Sequence, residues 1–204
     1  MIELIIATTN SGKLREIREL LKDLDVKITS LSDYPDAPKV EEDGKNFAQN
    51  AIKKAAAIAL YTKKLTLGED SGLEVKALGN RPGIYSARFA GNGATDKKNN
   101  AKLLRELRGV PLKKRQARYR CFAALVDGQP ACRTGRRIDV VSGSCAGVIA
   151  LKGKGRNGFG YDPLFLIPRY NKTFGELDRA VKSKISHRAR ALNKVKKVLK
   201  KYVG

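Results

Sequence analysis

The stretch Gly68-Glu69-Asp70-Ser71-Gly72-Leu73-Glu74-Val75 combines carboxylates, a hydroxyl and two glycines with the start of an apolar segment. Leu65 to Leu67 and Leu73 to Val75 are predicted strands, and Asp, Ser and Gly favour turns. We therefore expect an acidic turn between two short strands inside a sheet. Asp70 at such a place can bind a metal ion and accept a proton from an attacking water. An ordinary turn without function is the alternative.

The rest of the chain alternates between strand and helix patterns. Residues 2–7 form a short β-branched run, and the next apolar residues recur at helical spacing over 13–24. An Ala-rich helix is predicted over 46–61. Further strands are predicted at 26–31, 118–126 and 138–145, and further helices at 95–107 and 186–202. This alternation predicts an α/β fold in one domain covering residues 1–204.

The charge is the unusual feature of the composition. The 204 residues include 42 Lys and Arg against 20 Asp and Glu, a net charge of +22. Such a field raises the association rate of polyanions, either nucleotides or nucleic acid. The densest runs lie at 113–115, 133–137 and 194–201 and are typical of solvated faces, so the charge alone identifies no partner.

The remaining composition favours a cytoplasmic protein without a membrane segment. Cys121, Cys132 and Cys145 form no Cys-x-x-Cys pair, which argues against a disulfide framework or a thiolate zinc site and indicates small core residues. Residues 1–6 have a carboxylate and no basic leader, unlike a signal peptide. No apolar run approaches the roughly 20 residues that span a bilayer.

The segment Ala7-Thr8-Thr9-Asn10-Ser11-Gly12-Lys13 links the first strand to the first helix. Backbone amides at a helix N-terminus, with Lys13 as a cation, can hold phosphate oxygens. The segment is not a P-loop, because Ala7 replaces the first glycine and Leu14 replaces the metal-binding Ser or Thr. A capped turn without a ligand is the alternative.

A second acidic group, Glu41-Glu42-Asp43, precedes the Ala-rich helix. Carboxylates commonly precede helices because they offset the helix dipole. The functional interpretation is that one of them joins Asp70 in binding Mg²⁺, which prefers one or two carboxylates together with substrate phosphates.

The loop Gly158-Phe159-Gly160-Tyr161-Asp162 and the segment Ser186-His187-Arg188 are candidates for binding a base. Glycines allow close approach of the backbone, and an aromatic face can stack on a base, although both aromatics can also be core anchors. His187 is the only histidine, which excludes a His-cluster metal site. We expect Ser186 to cap the last helix, with His187 and Arg188 in its first turn as donors to a carbonyl or phosphate.

Seven motifs occur in an order that resembles the inosine triphosphate pyrophosphatase family over nearly the whole chain. They are Thr8-Thr9-Asn10-x-Gly12-Lys13, Glu41-Glu42-x-Gly44, Asn50-Ala51-x-x-Lys54-Ala55, Asp70-Ser71-Gly72-Leu73, Pro82-Gly83-Ile84-Tyr85-Ser86-Ala87-Arg88, Gly158-Phe159-Gly160-Tyr161-Asp162-Pro163 and Ser186-His187-Arg188. Each motif is weak alone, whereas the ordered set is specific.

The resemblance implies a Mg²⁺-dependent, homodimeric enzyme that cleaves ITP, dITP or XTP to the monophosphate and pyrophosphate. The implied fold is a long mixed sheet with flanking helices that form two lobes around an active-site cleft. Asp70 would be the general base and, with Glu41, a metal ligand. The implied contacts to phosphate or sugar are Thr8, Thr9, Asn10, Ser11, Gly12, Lys13, Ser71 and Lys182. Those to the base are Phe159, Gly160, Tyr161, Asp162, His187 and Arg188.

The chain departs from the family pattern at Glu69, where Asp is usual, and at Cys145, where a larger residue is common. Two other hypotheses remain at this point. One is a basic nucleic-acid-binding protein on the same scaffold, although the resemblance does not require nucleic acid. The other is a Maf-type pyrophosphatase that acts on modified pyrimidine nucleotides, which the absence of a Ser-Pro-Arg-Arg-like opening disfavours.

Overall fold

A computed structural model describes residues 2–129 and 137–203 of the chain. Within these ranges it contains seven strands and five α-helices. The strands are β1 (Ile2–Ala7), β2 (Val26–Ser30), β3 (Leu65–Val75), β4 (Gln116–Val126), β5 (Ile138–Ile149), β6 (Phe165–Ile167) and β7 (Lys172–Thr173). The helices are α1 (Ser11–Leu21), α2 (Phe47–Thr62), α3 (Asp96–Glu106), α4 (Arg179–Ile185) and α5 (His187–Val203).

The strands form one mixed sheet in the order β2-β1-β3-β4-β5-β6-β7. β1 pairs in parallel with both β2 and β3, whereas β6 is antiparallel to β5 and β7. β1 lies between β2 and β3 and is buried from Leu4 to Ala7. A continuous apolar run of this kind is typical of a parallel strand that is covered on both faces. The predicted α/β class is confirmed, with helices flanking a mixed sheet.

By their contacts the residues divide into two compact units, each assembled from separate segments. Unit 1 comprises Met1–Asp70, Cys121–Gly143 and Arg188–Gly204, and unit 2 comprises Ser71–Arg120 and Ser144–His187. The single domain over residues 1–204 therefore stays a prediction.

In unit 1 the largest core cluster joins β1 to two helices. Leu4 and Ile6 of β1 pack with apolar residues of α1 and α5. α2 packs on β3 through small residues, because a Cβ placed on Gly68 would lie 2.2 Å from the Ala51 carbonyl oxygen. The absence of a side chain at Gly68 thus allows this helix to approach the strand closely.

Unit 2 has its own core, which is rich in aromatic residues. Tyr119, Phe165 and Phe174 lie within 6.1 Å of one another by ring centroids. The buried Arg115 guanidinium donates to the carbonyls of Val110, Leu107 and Ala150, so its charge satisfies backbone acceptors rather than facing solvent.

The acidic segment is not a turn, which corrects the sequence prediction. β3 runs without interruption from Leu65 to Val75, and nine of its eleven residues are buried. Pairing within the sheet outweighs the turn preference of Asp, Ser and Gly, because strand propensity depends strongly on context. Consequently Glu69 and Asp70 are carboxylates within a buried strand, where they require compensating partners.

The other differences lie at the ends of elements and in short elements. α1 ends at Leu21 rather than residue 24, β5 continues to Ile149, and β6, β7 and α4 were not predicted. Ser186 follows α4, where its amide donates to the Lys182 carbonyl, and α5 begins at His187. β6 and β7 have three and two residues, which is too short to show a period, and α4 has seven residues, only about two helical turns.

Two of the three cysteines are described, and both Cys121 and Cys145 are buried thiols that take no part in a disulfide. Cys132, Pro130 and the basic residues Arg133 and Arg136 lie outside the described residues. No helix in the two described ranges has the length and apolarity needed to cross a membrane.

Candidate active site

Asp70 is held by two side chains of α2. Its Oδ2 accepts a hydrogen bond from Asn50 Nδ2 at 3.1 Å, and its Oδ1 lies 3.3 Å from Lys54 Nζ. Asn50 and Lys54 are one helical turn apart and therefore share a face. The close approach of α2 at Gly68 brings that face to the carboxylate.

The same two α2 residues connect Asp70 to the second acidic group. Lys54 Nζ lies 2.9 Å from Glu42 Oε1, and Asn50 Oδ1 accepts from the Gly44 amide at 2.8 Å. Lys54 thus joins two carboxylates. Glu41, the residue assigned to the metal by resemblance, is exposed, so the structure brings Glu42 rather than Glu41 to this cluster. The role of Glu41 stays a prediction.

The surroundings of Asp70 raise its pKa, which suits its carboxylate to the role of a general base. Burial raises the pKa of Asp70, and the ammonium groups of Lys54 and Lys13 offset only part of this effect. For Lys54, burial lowers the pKa, but the charges of Asp70 and Glu42 outweigh it and raise the pKa, so the ammonium stays charged. A carboxylate whose pKa is shifted towards neutrality is a better proton acceptor than an ordinary one.

Glu69, the neighbour of Asp70, is a fully enclosed anion. Its Oε2 lies 2.8 Å from Lys13 Nζ, and its Oε1 lies 3.1 Å from an Arg188 Nη2 and accepts from Cys121 Sγ at 3.2 Å. Burial by itself raises its pKa, but the charges of Arg188 and Lys13 prevail and hold the pKa of Glu69 well below its ordinary value. The pKa values of these two adjacent carboxylates are therefore shifted in opposite directions, with that of Glu69 lowered and that of Asp70 raised.

Arg188 is enclosed by carboxylates. Its side chain is 1% exposed and donates to both Glu69 and Glu16. The predicted contact of Arg188 with a base carbonyl is untested, and Glu69 and Glu16 fix the guanidinium where the structure places it. Burial lowers the pKa of Arg188, but the charges of Glu69 and Glu16 outweigh it and raise the pKa, so the guanidinium remains a permanent cation.

The predicted phosphate-binding segment leads from β1 into α1. Asn10 caps the helix by accepting from the Lys13 amide at 2.9 Å, and the Thr8 hydroxyl accepts from the Asn10 amide at 3.2 Å. Thr9, Asn10 and Ser11 are exposed. The first amides of a helix lack acceptors within the helix, so those of Ser11 and Gly12 are suited to an anion.

In unit 2 the loop from Gly158 to Asp162 is braced around a buried carboxylate. Asp162 Oδ2 accepts from the Phe159 amide at 2.9 Å and from Lys182 Nζ at 2.5 Å. Lys182 Nζ also lies 5.0 Å from the centroid of the Phe159 ring, within cation–π range. The structure thus brings together three of the residues predicted to contact substrate.

Glycine is required at Gly158. Its φ is +79°, and a Cβ there would lie 1.9 Å from Asp162 Oδ2. Any side chain would therefore combine an unfavourable backbone conformation with a clash against the carboxylate that organises the loop.

The two loop aromatics differ in accessibility. Tyr161 is buried, and its hydroxyl donates to the Ser86 carbonyl at 2.8 Å. Burial, followed by the charge of Asp96, raises its pKa. Phe159 is half-buried, so it is the more accessible of the two loop aromatics.

His187 lies in the aromatic core of unit 2. Its ring stacks on Tyr119 at 4.5 Å between centroids and 9° between planes. Ser71, which like Lys182 is a predicted phosphate contact in this unit, is half-buried. The predicted roles of His187 and Ser71 towards a substrate are untested.

Sequence reasoning did not assign Asn50 or Lys54 to the site, although both occur in the quoted motifs. Glu42 was a candidate only as a member of the acidic group Glu41-Glu42-Asp43, in which the resemblance favoured Glu41. The available signal was in α2. Asn50 and Lys54 are polar residues that interrupt the otherwise apolar, buried face of that helix. Polar side chains on a core-facing stripe indicate buried partners.

The donor set of unit 1 fits a hard divalent cation. No group of three or more His, Cys, Asp and Glu side chains in residues 2–129 and 137–203 is arranged as a ready-made metal site. However, Asp70 and Glu42 already share one ammonium group, which shows that a positive charge is stabilised between them. Two carboxylates completed by substrate phosphates is the arrangement that Mg²⁺ commonly adopts.

Comparisons with known proteins give one consistent result. The model of the Ham1 family matches residues 4–198. The chain is 50% identical to a dITP/XTP pyrophosphatase of Desulforamulus reducens, with 97% of this chain and 96% of the relative covered. It is 46% identical to a dITP/XTP pyrophosphatase of Geobacillus kaustophilus, with 100% and 97% covered. A solved HAM1 protein from Coxiella burnetii superposes with a TM-score of 0.86 at 39% identity, covering 98% and 100%.

Proposed function

The chain belongs to the Ham1 family, and from that premise we propose that it hydrolyses the noncanonical purine nucleoside triphosphates ITP, dITP and XTP. The products are the nucleoside monophosphate and pyrophosphate, so the activity removes these nucleotides from the nucleotide pool. In this chain the proposal rests on the buried Asp70. Asn50 and Lys54 hold its carboxylate, and burial raises its pKa, which makes it a better proton acceptor.

These products define which bond breaks. The oxygen of water attacks the α-phosphorus, and the bond between that phosphorus and the oxygen bridging to the β-phosphate breaks. Asp70 takes one proton from the attacking water, and pyrophosphate leaves with the electron pair of the broken bond. Reactions of this kind depend on an aligned nucleophile and neutralised phosphate charge more than on a covalent intermediate.

The orientation of Asp70 is set by α2. Asn50 donates to one carboxylate oxygen and Lys54 to the other, so the side chain has a fixed direction before substrate binds. A base that is already oriented avoids reorganisation during the reaction. Lys54 also supplies positive charge beside the reacting region.

A divalent cation completes this proposal, and we assign Mg²⁺ to Asp70 with Glu41 or Glu42. When bound, the cation neutralises phosphate charge and polarises the phosphate oxygens. Glu42 is already paired with Lys54, whereas Glu41 is exposed and precedes it in the chain. Separate Glu41→Gln and Glu42→Gln variants distinguish the two by their Mg²⁺ requirement.

The triphosphate and base are assigned to different groups of residues. The phosphate contacts are the segment from Thr8 to Lys13, Ser71 and Lys182. The base contacts are the loop from Phe159 to Asp162, His187 and Arg188. A donor aimed at the 6-carbonyl of hypoxanthine or xanthine discriminates against adenine, whose amino group would leave that donor unpaired.

The test is pyrophosphate release from ITP, XTP, GTP, ATP and CTP, each with and without Mg²⁺. We expect rapid release from ITP and XTP, slow release from the other three, and dependence on the metal. A flat profile across bases contradicts the proposal. A modified pyrimidine nucleotide is assayed beside these five, and preference for it would favour the Maf-type alternative. A parallel titration with nucleic acid that shows salt-sensitive binding without hydrolysis would favour the basic binding protein.

We also propose a homodimer that acts in the cytoplasm, as the family resemblance implies. Light scattering of the purified chain tests the dimer, because a mass near twice 22.4 kDa is expected. Fractionation of cells that express the chain tests its location.

A further inference from the structure

Two side chains of α3 hold both polar groups of the Gly160 backbone. Asp96 Oδ2 accepts from the Gly160 amide at 2.6 Å, and Asn100 Nδ2 donates to the Gly160 carbonyl at 2.8 Å. Asp96 and Asn100 are four residues apart, so they share one face of the helix. We name this pair the α3 clamp.

The clamp acts on a part of the loop that needs support. Gly160 has a φ of +63°, and Gly158 on the other side of Phe159 also has a positive φ. Glycines lose more conformational freedom on ordering than other residues. A loop that is ordered in advance avoids part of this loss when a ligand binds.

The α3 helix is itself anchored to the segment that supports the loop. Asn99 accepts from the Ala90 amide at 2.7 Å and donates to the Ala87 carbonyl at 3.0 Å. Tyr161 donates to the Ser86 carbonyl in the same segment. The helix that holds Gly160 therefore has a fixed position relative to the residue that follows Gly160.

The clamp is not explained by stability alone. Asn100 Oδ1 is buried and has no hydrogen-bond partner within the described ranges. An unpaired buried oxygen destabilises a folded protein, and this cost offsets the stability that Asn100 Nδ2 contributes through the Gly160 carbonyl. Violations of this kind are expected where a residue serves function.

We propose that Asp96 and Asn100 are positioning residues that set the purine selectivity of the enzyme by fixing the Gly160 peptide between Phe159 and Asp162. They act through the loop and do not contact the substrate. This inference rests on the proposed function, and it adds two residues to which no role in the reaction was assigned.

The test compares five chains: the unchanged protein, Asp96→Ala, Asp96→Asn, Asn100→Ala and the control Thr95→Ala. Thr95 caps the same helix by accepting from the Lys98 amide but does not touch Gly160. Each chain is assayed for kcat and KM with ITP and ATP, for the Kd of inosine monophosphate and for Tm.

We expect Asp96→Ala and Asn100→Ala to weaken inosine monophosphate binding and to raise KM for ITP about five- to tenfold, the worth of one such hydrogen bond. kcat should change less than about twofold, and the ITP to ATP ratio of kcat/KM should fall. Asp96→Asn keeps an acceptor for the Gly160 amide and should restore most of the binding. Asn100→Ala should keep its Tm, and Thr95→Ala should lower Tm without changing selectivity.

Unchanged KM and ITP to ATP ratio in both alanine variants would overturn the inference, as would losses in Thr95→Ala equal to theirs. A fall in kcat alone would also overturn it. If the unchanged protein does not hydrolyse ITP, the proposed function fails instead. The Kd for inosine monophosphate then still tests whether the clamp controls base binding.

Discussion

Asp70 and Asp162 are both buried carboxylates beside a buried lysine, but different forces hold them. Asp70 lies on the regular strand β3, and its partners Asn50 and Lys54 are side chains of a packed helix. Asp162 lies in an irregular loop, where it accepts from a backbone amide as well as from Lys182. In the first region the side chains of a packed helix orient a carboxylate, whereas in the second a carboxylate shapes the backbone.

This difference separates the chemical and the selective parts of the proposed reaction. Replacing Asp70 should abolish most of the hydrolysis rate while the backbone of β3 keeps its conformation. Perturbing the loop around Asp162 should alter which base is accepted and how tightly, while chemistry continues. Two substitutions, Asp70→Asn and Gly158→Ala, test this separation, and a third, Glu69→Gln, tests the buried charges beside Asp70.

The largest effect is expected for Asp70→Asn. Loss of the general base should lower kcat about 100- to 10,000-fold. The same change should raise stability at neutral pH. The folded-state pKa of Asp70 is raised, so its favourable contribution is complete only below the ordinary pKa of 3.8 and is lost as pH rises through the folded value. Pyrophosphate release and the urea midpoint at pH 7.5 measure both effects.

The control for this substitution is Asp43→Asn. Asp43 belongs to the neighbouring acidic segment but is exposed and pairs with Lys53. It should change activity and stability little, because exposed pairs contribute at most about 1 kcal/mol. Equal losses in both variants would show that Asp70 acts through general charge rather than as a base.

How far the sequence predicts these two regions depends on the distance between partners along the chain. The ordered motifs identify Asp70 and the loop from Phe159 to Asp162. Local signals also predict β1 and α2. The pairing of Arg188 with Glu69 spans 119 positions and that of Lys182 with Asp162 spans 20, and no local pattern specifies such contacts. Turn propensity misled the interpretation of β3 because sheet pairing decided its conformation.

The next effect is on stability and concerns Glu69→Gln. Removing this buried charge leaves Lys13 and Arg188 without the carboxylate they share, which should lower the free energy of unfolding by about 3 kcal/mol. Glu69→Asp keeps the charge and should lose less. Urea unfolding at pH 7.5 measures this, with Glu3→Gln as the control for a half-buried pair.

The pH dependence of Glu69 has the opposite sign to that of Asp70. Because its folded-state pKa lies well below the ordinary 4.5, the contribution of Glu69 to stability is present above pH 4.5 and is lost as pH falls towards the folded value. The unchanged protein should therefore lose more stability between pH 6 and pH 3 than Glu69→Gln does. Parallel curves for the two proteins would contradict the assignment of Glu69 as a buried anion.

The smallest of the three effects is expected for Gly158→Ala, which tests the loop. The added Cβ would meet Asp162 Oδ2 and must adopt a φ of +79°, a strain of about 1–3 kcal/mol. Because the loop relaxes away from its braced conformation, KM for ITP should rise about tenfold while kcat stays within about twofold. Gly153→Ala is the matched control, since its nearest contact would be 3.6 Å away and its φ is ordinary. If Gly158→Ala instead lowers kcat as Asp70→Asn does, the loop takes part in chemistry and the separation between the two regions fails.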